Sequence, residues 1–272
     1  MSNTERIFAL ALAAAVAGCG GQKTLVLGAT TTIEDSGLLD TLVTAFTAAH
    51  PDIRLTPITS ASDAILAMGR RGDLDVMLTH DPAGEARFME EGLGLSHQPV
   101  MHNAFLIVGP ASDPAGVRGM HDAVAAMARI AQRHEPFVSR GDSSGTNRKE
   151  LQLWKDAGLS PSPRRDHWYI DAGVAMGAAL LLANERQAYI LTEPATYYTV
   201  RHSIALVPLV EGDARLTNRY AVTIPASSKN VSPAREFARW ITGPPGRALI
   251  EHFGERRLGR TPFQPGAPPD TP

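Results

Sequence analysis

Three loops rich in hydroxyl and glycine residues could bind a small anion. They span residues 29–37, 60–62 and 139–146, and each lies between a predicted apolar strand and a predicted helix. A helix N-terminus offers unpaired N–H groups and the positive end of the helix dipole, which both favour an anion. The hydroxyls add neutral donors, and Arg140 in the third loop adds a permanent charge. The pattern predicts a pocket that surrounds an oxyanion with donors, although helix capping alone explains each single loop.

The third loop also matches the motif of a serine nucleophile. Residues 141–145 read GDSSG, a GxSxG pattern between a predicted strand and a predicted helix. Ser143 would be the nucleophile, and the residues that could complete a triad follow it in the chain: Asp171 or Asp213, and His202 or His252. No HGGG-type oxyanion loop precedes the motif. A serine hydrolase stays open as the alternative to a binding protein.

The sequence contains no motif for a resident metal or cofactor. Its nine histidines are scattered without an HExxH pattern, and its single cysteine can form no disulfide within the chain. Neither a Walker A sequence nor a GxGxxG loop is present. We therefore expect no cofactor and no metal centre.

Composition excludes some classes of partner and sets the size of the fold. The chain has 272 residues, a length that suffices for about two globular domains, and 43% of the residues are hydrophobic. Lysine and arginine number 26 against 28 acidic residues, giving a formal charge of −2. Nucleic-acid binding is not expected, because phosphate neutralisation needs a basic excess.

The N-terminal region resembles an export signal. Residues 7–16 form a short apolar run after Arg6, too short to span a bilayer. The run leads into the sequence Val16-Ala17-Gly18-Cys19, which resembles the lipobox of bacterial lipoproteins. We expect residues 1–19 to be a lipoprotein signal peptide that ends at a lipidated Cys19. A free thiol in a leader and an ordinary signal cut nearby are the alternatives.

Strands and helices alternate through the rest of the chain. Apolar runs at residues 24–28, 53–58, 74–78 and 103–108 predict strands, and helical spacing of apolar residues predicts helices between most of them. Alternation of this kind predicts an α/β fold with mostly parallel strands. The segment from Pro262 onward is rich in proline and glycine and is expected to be a loose end.

The loops, taken in order, resemble those of the periplasmic tungstate-binding proteins of ABC importers, in the type II periplasmic binding protein class. The resemblance covers residues 24–263 and rests on motifs at residues 35–39, 72–76, 99–101, 137–142, 144–146, 168–170, 176–177 and 188–192. Some motifs depart from the family pattern. A TTTS motif has become ATTT at residues 29–32, a GTG turn has become Ala61-Ser62-Asp63, and TDRGTY has become TEPATY at residues 192–197.

The resemblance implies a two-lobed α/β fold with a hinge and a ligand cleft between the lobes. Lobe 1 would comprise residues 24–102 and 210–262, lobe 2 residues 103–209, and residues 263–272 a loose tail. The family's oxyanion donors fall on seven residues of this sequence: Thr31, Thr32, Ser62, Arg140, Ser144, Thr146 and Gly177.

The implied function is binding without chemistry. The chain would capture tungstate or molybdate between the lobes and deliver it to the permease of an ABC importer. The only metal bound would then be the tungsten or molybdenum atom of the oxyanion itself. It would be a monomer in the periplasm or outside the cytoplasm, held at the membrane by a lipid on Cys19. A degenerate relative that senses another anion is a further hypothesis.

Overall fold

The computed structural model describes residues 22–268, so the predicted signal peptide and Cys19 lie outside the described residues. The strands are β1 (Lys23–Thr30), β2 (Ile53–Ser60), β3 (Val76–Thr79), β4 (Gly94–Ala104), β5 (Leu106–Gly109), β6 (Phe137–Ser139), β7 (Tyr169–Asp171), β8 (Ile190–Thr192), β9 (Val207–Val210), β10 (Thr217–Pro225) and β11 (Gln264–Pro265). The α-helices are α1 (Thr31–Asp35), α2 (Leu38–Ala49), α3 (Ser62–Arg71), α4 (Pro82–Glu90), α5 (Ala123–Gln132), α6 (Gly145–Asp156), α7 (Met176–Arg186), α8 (Pro194–Val200), α9 (Val231–Thr242), α10 (Pro244–His252) and α11 (Glu255–Leu258). Single 3-10 turns occur at Arg201–Ser203 and Ala214–Leu216.

One part of the chain, called lobe 1 from here on, is built on a six-stranded sheet. Its strand order is β11-β4-β10-β3-β1-β2, and α2 and α9 pack against it. Leu27, Phe46 and Phe237 are fully buried in the core between this sheet and the helices. Their burial removes large apolar surfaces from water, which stabilises the lobe.

The second part, called lobe 2, is built on the three-stranded sheet β8-β5-β9 and the parallel pair β6-β7. A single bridge between Phe137 and Tyr189 brings β6 beside the segment that leads into β8. Phe137 and Trp154 pack edge to face in the core, with ring centroids 5.0 Å apart. The loop that carries Arg140 therefore starts from a strand anchored in this core.

The prediction of mostly parallel strands is wrong for most of the six-stranded sheet and for all of the three-stranded sheet. β1 runs parallel to β2 and β3, but β10 is antiparallel to both β3 and β4, and β5 is antiparallel to β8 and β9. The chain leaves lobe 1 after β4 and returns to it in β10. Two neighbouring strands that run out of a lobe and back into it must be antiparallel.

Two crossings join the lobes. The sequence predicts one strand over residues 103–108, whereas the structure ends β4 at Ala104 and begins β5 at Leu106. Phe105, between them, is buried, and its N–H donates to the carbonyl of Leu216 in the return crossing at 2.7 Å. The chain thus changes sheets at Phe105, and this hydrogen bond ties the two crossings together. The exact lobe boundaries given above stay predictions.

The prediction of a loose tail from residue 263 is wrong for its first residues. Phe263 is buried in the core of lobe 1, and β11 pairs with β4 at His102 and Met101. A buried aromatic ring and a strand pairing outweigh the turn-forming tendency of the proline and glycine residues around them. Across residues 22–268, no helix has the length and apolar character needed to cross a membrane.

Candidate oxyanion site

Arg140 is the only charged residue among the largest fully buried side chains of the described chain. It follows β6 directly and is 2% exposed. Its Nη2 atom donates to Asp142, while its Nε and Nη1 atoms have no hydrogen-bond partner within residues 22–268. Burying charged donors without acceptors is costly. These two N–H groups therefore mark a place where an anion would be stabilised.

The turn after Arg140 is fixed by backbone requirements. Gly141 has a φ of +61°, and a Cβ atom there would lie 1.5 Å from Oδ1 of Asp171. Asp142 accepts a hydrogen bond from the N–H of Ser144, and Ser144 in turn caps α6 by accepting from the N–H of Asn147. The hydroxyl of Ser144 thus has a capping role, as the alternative explanation of this loop predicts.

A buried carboxylate beneath this loop holds α6 in place. Glu150 accepts hydrogen bonds from Ser139 at 2.6 Å, from Trp154 at 3.0 Å and from Tyr169 at 2.8 Å. Burial raises the pKa of Glu150 to about 7, and the hydrogen bonds from its neighbours oppose the increase. This network connects β6, α6 and β7, and so positions Arg140 and Thr146.

Lobe 1 contributes hydroxyls that are as deeply buried as Arg140. Thr32 is 2% exposed, and its hydroxyl lies 3.3 Å from Nε2 of His80. Ser62, the first residue of α3, is fully buried, and its hydroxyl has no partner among the described residues. Burial lowers the pKa of His80, so this ring is neutral and adds no charge to the site. Thr31 is half-buried.

The two lobes meet at these residues. A Cβ atom on Gly145 would lie 2.7 Å from Cε1 and 2.8 Å from Nε2 of the His80 ring, so α6 begins directly against lobe 1. Thr146 is 1% exposed and donates its hydroxyl proton to Oε1 of Glu193. Arg148 reaches across to Asp63 and Asp81 of lobe 1, at 3.3 Å in each case. The lobes are in contact, and the site between them is closed to solvent.

Comparison with known proteins agrees with this geometry. Residues 17–245 match the model of the PBP superfamily domain. The tungstate-binding protein TupA of Peptoclostridium acidaminophilum is 34% identical over 94% of this chain and 95% of its own length. A putative ABC transporter anion-binding protein of Haloferax volcanii is 38% identical over 87% of this chain and 70% of its own length. The structure of TupA from Desulfovibrio alaskensis covers 90% of this chain and all of its own, with 36% identity and a TM-score of 0.78.

The chain belongs to the TupA family of the PBP superfamily. The resemblance found in the sequence is confirmed, and so is the two-lobed type II periplasmic-binding-protein fold. Asp63, at the GTG position of the family pattern, makes no ion pair with Arg140 among the described residues. It pairs with Arg148 and is 43% exposed, so its charge is screened by water and by that partner.

Six of the seven residues predicted to bind the ligand lie at the closed interface or next to it. Thr32, Ser62, Arg140, Ser144 and Thr146 are buried there, and Thr31 is adjacent to Thr32. The seventh, Gly177, is half-buried in the first turn of α7, a helix that packs against α1, which carries Thr31 and Thr32. No hydrogen bond among the described residues connects Gly177 to the others. Whether these residues hold a ligand stays a prediction.

Sequence reasoning missed two buried polar residues after β8. Glu193 is 1% exposed and Thr196 is 2% exposed. Oε2 of Glu193 and the hydroxyl of Thr196 have no partner within residues 22–268. Both lie in the TEPATY segment, at residues 192–197, which departs from the family's TDRGTY pattern. Their position after a strand, as for the three predicted loops, is the signal that could have found them.

The serine hydrolase alternative finds no triad in the described residues. Ser143 is exposed, and its hydrogen bond to Asn147 uses the backbone N–H rather than the hydroxyl. Three of the four candidate partners are engaged elsewhere: His202 with Arg201, His252 with Glu255, and Asp213 with Arg215. Asp171 lies against Gly141, but no hydrogen bond among the described residues joins it to either histidine. The residues that GxSxG chemistry requires are therefore not brought together.

Proposed function

We propose that this chain captures a tetrahedral oxyanion between its lobes, tungstate or molybdate, and delivers it to an ABC importer. The observation that carries the proposal is the buried Arg140 guanidinium, whose Nε and Nη1 atoms have no partner among residues 22–268 at the interface with lobe 1. The hydroxyls of Ser62 and Thr196, which have no partner in the same part of the chain, supply further donors. An oxyanion must be dehydrated to enter such a site, and these donors would replace its water shell.

Closure of the lobes would be the signal that the ligand is bound. Ser62 and Thr32 come from lobe 1, while Arg140 and Thr146 come from lobe 2, so only the closed state presents both sets to one ligand. A ligand that binds one state better shifts the population toward that state. A permease that recognises the closed form would then receive only loaded protein.

The cleft beside the site suits the entry of an anion. A cavity of about 480 Å³ opens between the lobes, and its lining includes His80 and Gly145. The cations in its wall outnumber the acids Asp63 and Asp81, and they are Arg70, Arg87, Arg148, Lys149 and Arg219. A cleft lined mainly by one sign of charge raises the local concentration of the opposite ion.

The remaining parts of the proposal follow from the family. The relatives are named as binding proteins, and two of them as tungstate-binding proteins. We accordingly assign this chain a transport role without catalysis, outside the cytoplasm, as a monomer without a cofactor. Cys19 would carry the lipid that holds the chain beside its permease.

Calorimetric titration of the purified full-length chain tests the proposal. Tungstate, molybdate, sulfate and phosphate are titrated separately under one buffer condition. We expect saturable binding of tungstate and molybdate with one site per chain. Absence of binding by all four anions would contradict the proposal and favour a degenerate relative that senses another ligand.

A further inference from the structure

Glu193 is an unexplained negative charge at a site proposed to bind an anion. It lies directly after β8 and is 1% exposed. Its Oε1 atom accepts the hydroxyl proton of Thr146, whereas its Oε2 atom has no donor among residues 22–268. A buried carboxylate oxygen without a donor is costly, because water no longer supplies the hydrogen bonds.

The other polar groups of the proposed site that lack a partner among residues 22–268 have the opposite requirement. Nε and Nη1 of Arg140 can only donate, and the hydroxyls of Ser62 and Thr196 can donate to an anion. Unprotonated oxygens of an oxyanion satisfy all of these groups. An ionised carboxylate can only accept, so a fully deprotonated oxyanion leaves Oε2 of Glu193 unsatisfied.

The surroundings do not neutralise Glu193 by themselves. The titratable and charged groups that face it are Asp35 on α1, His80 after β3, Arg140 after β6 and Tyr220 on β10. Burial keeps the His80 ring neutral, and Asp142 shares the charge of Arg140. Burial also raises the pKa of Asp35, with the charge of Glu193 adding to the increase and that of Arg140 opposing it. A dianion would therefore meet net negative charge at low dielectric.

We infer that the oxyanion binds together with one proton, held between Oε2 of Glu193 and an oxygen of the ligand. This inference rests on the proposed function, and it makes Glu193 a specificity-determining residue. Hydrogen phosphate would bring the proton with it. Tungstate, which is fully deprotonated at neutral and mildly alkaline pH, would take the proton from solution. The affinity of the chain for tungstate then falls by about tenfold for each unit by which the pH rises, over the range in which the proton must be taken from solution.

Calorimetry in buffers of different ionisation enthalpy counts the protons taken up. The full-length chain is titrated with tungstate at pH 8 in phosphate-free buffers of low and high ionisation enthalpy, and separately with phosphate. We expect uptake of about one proton per tungstate and about none per hydrogen phosphate. In Glu193→Gln, the amide can donate to an unprotonated oxygen, so tungstate binding should continue without proton uptake.

Two matched variants separate Glu193 from two other carboxyls. Glu150→Gln removes the buried carboxyl whose pKa is about 7, and Asp35→Asn removes the carboxyl of α1 whose pKa is also raised. Both should keep the uptake of about one proton per tungstate. Tungstate binding by the unmodified chain without proton uptake overturns the inference but leaves the proposed function intact. Proton uptake by Glu193→Gln equal to that of the unmodified chain also overturns the inference and leaves the proposed function intact. Absence of any anion binding overturns both the inference and the proposed function.

Discussion

Arg140 carries its charge where water cannot reach it. Asp142 accepts from Nη2, and no described residue accepts from the other two nitrogen atoms. A guanidinium in this position is poised to donate a charge-assisted hydrogen bond to an anion from Nε or from Nη1.

Replacing Arg140 by alanine should weaken oxyanion binding more than the loss of any single hydroxyl. A hydrogen bond to a charged group contributes about 1.5–3 kcal/mol, which corresponds to roughly a 10- to 150-fold change in Kd. Calorimetric titration with tungstate measures the change. Arg165→Ala, at an arginine that is 68% exposed, is the control and should bind normally. An unchanged Kd in Arg140→Ala would show that the anion lies elsewhere.

Glu150 should make the stability of the protein depend on pH. Its pKa is 4.5 when unfolded and about 7 when folded, so the folded state binds more protons between these values. The free energy of unfolding therefore falls as pH rises through this range, by about 3 kcal/mol from this group. Denaturant unfolding at pH 5 and pH 8 measures the difference. Glu150→Gln should lose this component, and identical pH profiles for both proteins would contradict the assignment.

At the scale of elements, α6 is one of the parts of lobe 2 that reach lobe 1, together with α7 and α8. Its N-terminus touches His80, and Arg148 one turn later pairs with two acids across the cleft. The helix is anchored from behind by Glu150 and Trp154. Changes on the side of α6 that faces lobe 1 should therefore act on closure rather than on folding.

Gly145→Ala should block closure while leaving each lobe folded. The new Cβ atom would lie 2.8 Å from the backbone oxygen of His80 as well as against its ring, and the backbone cannot move aside cheaply. Overpacking of this kind costs about 1–3 kcal/mol. We expect a roughly 5- to 150-fold loss of tungstate affinity with an unchanged thermal unfolding midpoint. Leu151→Ala, at an exposed position of the same helix, should bind like the unmodified chain.

Arg148→Ala should weaken binding only modestly. The arginine is 42% exposed, and ion pairs in water contribute about 0.2–1 kcal/mol each. A Kd increase of about two- to fivefold follows, and it should shrink when salt screens the pairs. Titration with tungstate at low and high ionic strength measures it, with Lys155→Ala on the same helix as the control. A loss as large as that of Arg140→Ala would mean that Arg148 contacts the ligand.

The elements that could be predicted from the sequence are those with strong apolar patterns. The strand at residues 53–58 and the helix at residues 147–157 appear in the structure as β2 and α6, with small shifts at their ends. The helix α4 was missed because it is short and weakly amphipathic, although Asp81 and Pro82 mark its start. Most of β4 was missed because its alternation is interrupted by polar residues and Pro99.

For the whole molecule, the arrangement of the site depends on how the lobes meet. Sequence reasoning identified Arg140, Ser62 and Thr146 because hydroxyls and arginine follow predicted strands. It could not place Glu193 beside Thr146, since 47 residues separate them and only the packing of α6 against the segment after β8 brings them together. Likewise, nothing in the sequence shows that Asp63 pairs with Arg148 across the cleft.

Crystallographic location of tungsten in the full-length chain tests the central claim most directly. Tungsten scatters anomalously, so its position can be found independently of the protein. We predict one tungsten site between the lobes, with oxyanion oxygens within hydrogen-bond distance of Nε or Nη1 of Arg140 and of the Ser62 hydroxyl. Tungsten bound outside this interface, with Arg140 making no contact to it, would contradict the account.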